Sequence, residues 1–192
     1  MRRPALLPLA HSLRKRGYAT QLFTYSSLFD PTESAVAALA ERLYLLGRVG
    51  PVHVVAHSLG GLMALEAYNR HAGLPDGRVV CLGSPLAGSA AARGLQRRGL
   101  GALSGRSGPL LRAGLARLPE GREIGMVAGS RPMGLGRLFG SLKGENDGTV
   151  AVAETRVPGL AAHAILPVSH TGLVFSAAAA DLVQRFLGDG RF

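Results

Sequence analysis

His53-Val54-Val55-Ala56-His57-Ser58-Leu59-Gly60-Gly61-Leu62-Met63 is the stretch on which the fold of this chain turns. A short apolar strand runs into a serine flanked by small residues, and a helix follows at once. This is the small-x-Ser-x-Gly layout of a nucleophile elbow. The tight strand-to-helix turn holds the serine in a strained backbone conformation, which a bulky side chain two places away on either side would obstruct. Ala56 and Gly60 occupy those places, and Gly61 adds room. The spacing predicts a strand over Val52 to His57, a helix from Leu59 to about His71, and Ser58 projecting between them. The amide of Leu59, at the start of that helix, is then placed to donate to an oxyanion.

Two downstream segments extend this reading. The first is Gly144-Glu145-Asn146-Asp147-Gly148-Thr149-Val150, and the second is Ile165-Leu166-Pro167-Val168-Ser169-His170-Thr171-Gly172. A serine hydroxyl is a poor nucleophile until a base takes its proton. His170 is the candidate base, since imidazole titrates near ~6.5. Asp147 is the candidate that fixes its tautomer and stabilises the imidazolium. Glu145 is the rival acid, and His163 and His57 are the rival imidazoles. His163 reads as structural, at the start of an apolar strand, and His57 is tied to the elbow itself. Asp147 lies in a Gly-rich turn and His170 just before a helix, where strands of an open parallel sheet end and its sites form.

The remainder alternates helices and strands. Pro4 to Gly17 reads as a helix with Leu6, Leu9 and Leu13 on one face, stopped by Gly17. Tyr18 to Tyr25 is rich in β-formers and reads as a strand. Thr32 is placed to cap a helix from Glu33 to about Leu46. Arg78 to Leu82, Glu123 to Ala128 and Ala162 to Val168 read as buried parallel strands. Gly172 to Leu187 reads as the closing helix. The stretch from Ser84 to Arg122 is rich in Gly, Arg, Ser and Leu and is far longer than an ordinary connection. Two readings fit it, a small cap-like insertion over the site and a crossover helix with an irregular lead-in. The pattern as a whole predicts one three-layer α/β domain over residues 1–192 with a mostly parallel sheet.

Composition narrows the function classes. Of the 192 residues, 47% are hydrophobic, which excludes a disordered chain. Lys plus Arg number 22 against 12 Asp plus Glu, a formal charge of +10, and Lys15 and Lys143 are the only lysines. The arginines are scattered without a stacking series of aromatics, so no nucleic-acid partner is expected. Cys81 is the only cysteine and sits in an apolar strand, so a buried inert thiol is expected. No apolar run reaches the ~18 residues of a membrane span, and no secretory leader is visible, so a cytoplasmic location is expected, with peripheral membrane contact left open. The His, Asp and Glu residues show no metal-ligand spacing. Gly134 to Gly140 lacks the Lys-Ser/Thr pair of a phosphate loop, so neither metal nor cofactor is expected.

With these residues in view, the chain resembles the α/β-hydrolase superfamily, in particular small bacterial lipase- or esterase-like hydrolases. The resemblance rests on Ala56-His57-Ser58-Leu59-Gly60-Gly61, Gly83-Ser84-Pro85-Leu86-Ala87-Gly88-Ser89, Asn146-Asp147-Gly148-Thr149-Val150 and Val168-Ser169-His170. The chain order Ser, Asp, His is also that of the superfamily. The second stretch resembles the lipase segment Gly-Thr-Pro-His-x-Gly-Ser, with Leu86 in place of the usual polar or aromatic residue. The resemblance implies a serine hydrolase acting on a carboxylic ester, small or lipid-like, through an acyl-enzyme. Ser58 would be nucleophile, His170 base, Asp147 its partner and the Leu59 amide an oxyanion donor.

One departure stands at the start. Members of the superfamily begin with a core strand ending in His-Gly, whose trailing loop gives a second oxyanion amide. Here Met1 opens directly onto the helix Pro4 to Gly17. The expectation is an N-terminally truncated fold with the true start upstream. The absent strand would lie between Tyr18 to Tyr25 and the elbow strand, leaving a gap or forcing those two to pair. Two other functions therefore stay open. One is an acyltransferase or thioesterase with the same three residues, and the other a non-catalytic binding protein on the same fold.

Overall fold

The computed structural model describes residues 6–25, 31–133 and 142–192. Helix α1 spans Leu7–Lys15 and α2 spans Thr32–Gly47. Strand β1 (Val54–His57) leads through Ser58 into α3 (Leu59–Arg70). Strand β2 (Val79–Leu82) is followed by α4 (Ala90–Arg97) and α5 (Gly108–Ala113). Strands β3 (Ile124–Gly129) and β4 (Ala162–Leu166) come next, and α6 (Ala177–Asp189) closes the chain. The four strands pair in the order β1-β2-β3-β4, each pair parallel.

Period-two alternation divides the core between the two faces of the sheet. Val79, Cys81, Ile124 and Met126 pack with the apolar sides of α2 and α3. Val80, Leu82 and Val127 pack with Leu9 and Leu13 of α1 and with Val183 and Phe186 of α6. Strands covered on both faces are continuous apolar runs, which is why 78–82 and 123–128 were legible as sequence. Leu110, Leu111, Leu115 and Leu118 of the segment 84–122 pack against the α2–α3 cluster. Cys81 is fully buried, and burial pushes its thiol up to about 12.

Local differences from the sequence reading have identifiable causes. Pro31, not Thr32, precedes the first turn of α2, and the Thr32 hydroxyl instead meets Ser107 Oγ at 3.2 Å and the Arg106 carbonyl at 3.3 Å. A tertiary contact thus takes the hydroxyl that a local cap would use. The closing helix is two pieces. A short 3-10 turn at Gly172–Val174 is separated from α6 by Ser176, whose hydroxyl accepts from the Ala179 amide at 3.1 Å. The glycine-rich stretch 134–140 lies outside the described residues.

The larger correction concerns residues 18–25, which belong to no strand. They run alongside β1 in the same direction: the Tyr18 ring lies 6.4 Å from that of His53, and Tyr25 Oη lies near Gly60. The two segments do not pair. Between them lies a cavity of about 700 Å³, bounded by residues of α1, α2, α3, 18–25 and 52–57. A segment becomes a strand only through a ladder, and β-forming composition cannot supply the partner. Leu9, Leu13 and Leu43 stand along its walls and are themselves buried.

Candidate active site

Ser58 is the one non-glycine residue with positive φ among the described residues, at φ 56° and ψ −128°. Such a conformation costs about 1–3 kcal/mol and persists only where its surroundings hold it. Here the Ser58 amide donates to the Leu82 carbonyl at 2.9 Å, and the Gly61 amide donates to the Ser58 carbonyl at 3.1 Å. The serine is thereby fixed at the C-terminal rim, between the last residue of β1 and the first of α3. The two glycines that follow are not equivalent. A β-carbon on Gly60 would meet nothing closer than 3.8 Å, whereas one on Gly61 would fall 2.2 Å from Ser84 Oγ and 3.0 Å from Cys81 Sγ. Gly61 is what lets α3 lie against β2. Leu59 opens α3, so its amide belongs to the first turn, whose N–H groups lack intrahelical acceptors.

His170 Nε2 lies 2.9 Å from Ser58 Oγ, and its Nδ1 lies 2.7 Å from Asp147 Oδ2. Asp147 is 1% exposed. Its second oxygen, Oδ1, accepts from the amides of Thr149 at 2.9 Å and Val150 at 2.7 Å. With Oδ1 occupied, Oδ2 is left for the imidazole, so Nδ1 carries the proton and Nε2 presents its lone pair to the serine hydroxyl. The supporting backbone is equally determined. The His170 amide donates to the Asp147 carbonyl at 2.9 Å, and Asn146 Oδ1 closes the turn by accepting from Gly148 N at 3.0 Å. Glu145, the rival acid, instead uses its carbonyl to accept from the Val152 amide at 2.9 Å. His163, the rival base, meets Thr155 Oγ1 at 2.9 Å, and burial with nearby Arg156 pushes its pKa down.

Two neighbours take roles that sequence reasoning missed. Gly83, at the end of β2, has φ +56°, and a β-carbon there would lie 3.1 Å from His170 Nδ1, 3.2 Å from Asp147 Oδ2 and 2.8 Å from Leu173 Cδ1. Its missing side chain is the space in which the imidazole and carboxylate meet. The available signal was a glycine closing an apolar strand at the rim that carries the elbow. His57 lies behind the site, its ring centroid 4.5 Å from that of His170. Its Nε2 meets the His170 carbonyl at 2.9 Å. A carbonyl only accepts, so Nε2 carries the proton, and Nδ1 is left buried without a partner. Burial first, then the adjacent His170, lowers its pKa to about 4. His57 is therefore a neutral clamp on the His170 backbone at neutral pH.

The sequence profile of the alpha/beta hydrolase family matches residues 4–189. This chain belongs to that family. Three solved structures give the scale of its likeness within the alpha/beta hydrolases. The Bacillus licheniformis lipase BlEst2 in its propeptide form superposes with a TM-score of 0.79 at 20% identity, over 95% of this chain and 47% of that one. The metagenomic carboxyl esterase MGS0156 gives 0.73 at 19% identity, over 96% of this chain and 70% of that one. A Legionella pneumophila phospholipase, PlaB, gives 0.70 at 17% identity, over 95% and 54%. The chain thus spans about half the length of the first of these structures. Among curated proteins, none matches it in sequence. Among the described residues, no group of three or more His, Cys, Asp or Glu is placed to hold a metal ion, and no helix is long and apolar enough to cross a membrane.

Proposed function

We propose that this alpha/beta hydrolase cleaves a carboxylic ester through an acyl-enzyme on Ser58. The observation that carries the reading is the continuous contact from Ser58 Oγ to His170 Nε2 at 2.9 Å and from His170 Nδ1 to Asp147 Oδ2 at 2.7 Å. Ser58 Oγ attacks the ester carbonyl carbon as its proton passes to His170 Nε2. Asp147 holds the resulting imidazolium, and the Leu59 amide donates to the tetrahedral oxyanion. The intermediate collapses, and the departing alkoxide takes the proton from His170. A water then attacks the acyl carbon while giving a proton to the same nitrogen. Ser58 recovers that proton as the acid leaves.

The substrate class is an ester of a small or lipid-like acyl group. Structural likeness to a lipase, a carboxyl esterase and a phospholipase supports that choice at the level of fold. We read residues 1–192 as one domain. Within it, the leucines of 84–122 fill the core beside α3, which supports a crossover connection over a separate cap. One oxyanion donor, the Leu59 amide, is identified among the described residues. Loss of one donor costs about 10²–10³ in turnover, so slow hydrolysis is the expected behaviour. The test is labelling by a fluorophosphonate together with hydrolysis of p-nitrophenyl acetate and butyrate. Modification at Ser58 and ester turnover, both lost in Ser58→Ala, support the reading. A folded chain that the probe leaves unmodified overturns it in favour of a binding protein. Preferential transfer of the acyl group to added alcohol or thiol would make the enzyme an acyltransferase.

A further inference from the structure

We propose that Glu154 is a positioning residue of the candidate site: its carboxylate ties the turn that carries Asp147 to the start of α4 and so holds Asp147 against His170. The proposal rests on the reading of Ser58, His170 and Asp147 as a working set. Five consecutive amides of the Asp147 turn donate inward. Gly148 N meets Asn146 Oδ1, Thr149 N and Val150 N meet Asp147 Oδ1, Ala151 N meets Glu154 Oε2 at 2.9 Å, and Val152 N meets the Glu145 carbonyl. Of these acceptors, Glu154 is the one that comes from beyond residues 145–152. Its other oxygen, Oε1, accepts from Ala90 N, the first amide of α4. The main chain of Glu154 repeats the link. Its carbonyl accepts from Ala87 N at 2.9 Å, and its amide donates to the Ala151 carbonyl at 2.9 Å. One residue thus joins the two segments, 83–90 and 147–151, that flank the contact between Asp147 and His170.

The residue type follows from the task. Glu154 is 7% exposed, and a buried carboxylate is costly unless its oxygens are bonded. Each oxygen here takes one amide, which a carboxylate can do because it carries acceptors only. One of those amides opens a helix, where negative charge is favoured. Arg93 Nη2 lies 3.9 Å from Oε1, but its side chain is 42% exposed and its Nη1 donates to the Arg112 carbonyl at 2.9 Å. A pair so placed contributes little, so the two amides set the position of the carboxylate. The effect reaches the site through adjacent atoms. Ala151 follows Val150, whose amide fixes Asp147 Oδ1 at 2.7 Å. Ala90 ends the rim loop that begins at Gly83, beside which the imidazole and the carboxylate meet. Release of either amide lets the two segments drift apart, and Asp147 Oδ2 then loses its line to His170 Nδ1. A displacement of about 1 Å is worth about 10²-fold in rate.

Three variants of the full chain test the tie. Ala90→Pro removes the amide that Oε1 accepts from, at the first helical position, where proline is well tolerated. Ser89 before it is already extended, at φ −97° and ψ 119°, the conformation proline favours in the residue it follows. Glu154→Gln keeps the volume but sets an N–H group against one of the two amides. Glu154→Ala frees both. The expected result is a fall in kcat for p-nitrophenyl butyrate, and in the rate of fluorophosphonate labelling, of about tenfold in Ala90→Pro and Glu154→Gln and about 10²-fold in Glu154→Ala, with KM within about twofold of the wild type. The low-field proton resonance of His170 Nδ1–H, which reports its bond to Asp147, moves upfield or disappears in all three. Two results overturn the proposal. One is a lower Tm with kcat and the resonance as in the wild type, which makes Glu154 a brace of the fold alone. The other is a lower kcat with the resonance unchanged, which places the effect away from Asp147. If Glu154→Ala does not fold, Ala90→Pro and Glu154→Gln decide by the same criteria. The resonance is read without turnover. A wild type that hydrolyses no ester therefore refutes the esterase reading, while the response of the resonance still decides the role of Glu154.

Discussion

The two sides of β1 stand in contrast. On its inner side and at its carboxyl end, the groups of the candidate site are partnered: Ser58 N meets Leu82 O, Asp147 Oδ1 meets two amides, and His170 is held through its amide, its carbonyl and both ring nitrogens. On its outer side, the backbone of the same four-residue strand faces a cavity of about 700 Å³. The lesson is that the proposed catalytic constellation and the sheet edge lie on opposite sides of one strand. At the rim, Ser58 is held between β1 and α3 by its amide bond to Leu82 of β2, and His170 by its amide bond to the Asp147 carbonyl.

Ser58→Ala is the strongest challenge to the rim half of this comparison. It is expected to abolish fluorophosphonate labelling and to lower kcat by about 10⁶, while the thermal melt stays in place, because alanine keeps the β-carbon and with it the strain at φ 56°. Asp147→Asn is expected to cost about 10⁴ in kcat through the wrong imidazole tautomer. Steady-state ester hydrolysis checks both, and a loss below tenfold in either would detach that residue from the site.

His57 joins the two halves, clamping the His170 carbonyl through Nε2 while the residue borders the outer cavity. Its folded pKa of about 4 lies below the ordinary ~6.5. The unfolded chain thus binds more protons between these values, and stability is complete above pH 6.5 and falls as the pH drops toward 4. The contribution at stake is about 3 kcal/mol. His53 and His163, whose pKa values are also lowered, add slope of the same sign. Urea melts of the wild type and His57→Asn from pH 7 to 4 isolate the His57 share as the difference between the two slopes. The smallest expected effect is Gly83→Ala. The left-handed φ of +56° costs a non-glycine residue about 1–2 kcal/mol, and the new methyl presses on His170 and Asp147. A modest drop in Tm should accompany a larger drop in kcat, whereas equal stability and activity would show that the rim has slack.

Legibility in the sequence tracked the range of the interaction responsible. The strands at 54–57, 79–82 and 124–129 could be read because burial on both faces demands unbroken apolar runs. The elbow could be read because steric limits at one strained residue dictate its immediate neighbours. Thr32 was misread because a hydroxyl that looks like a local cap finds Ser107, which lies 75 residues away. Residues 18–25 were misread because a strand requires a neighbour, and no local preference reveals whether one is there.

The order of serine, aspartate and histidine, the parallel α/β architecture and the family were therefore matters of sequence alone, since each follows from residue type and short spacing. The convergence of three side chains from the ends of different strands, the neutral His57 behind them, the space left by Gly83 and the unfilled outer edge of β1 were decided only by the tertiary structure. Those features depend on distances between segments remote along the chain, and such distances are set by packing.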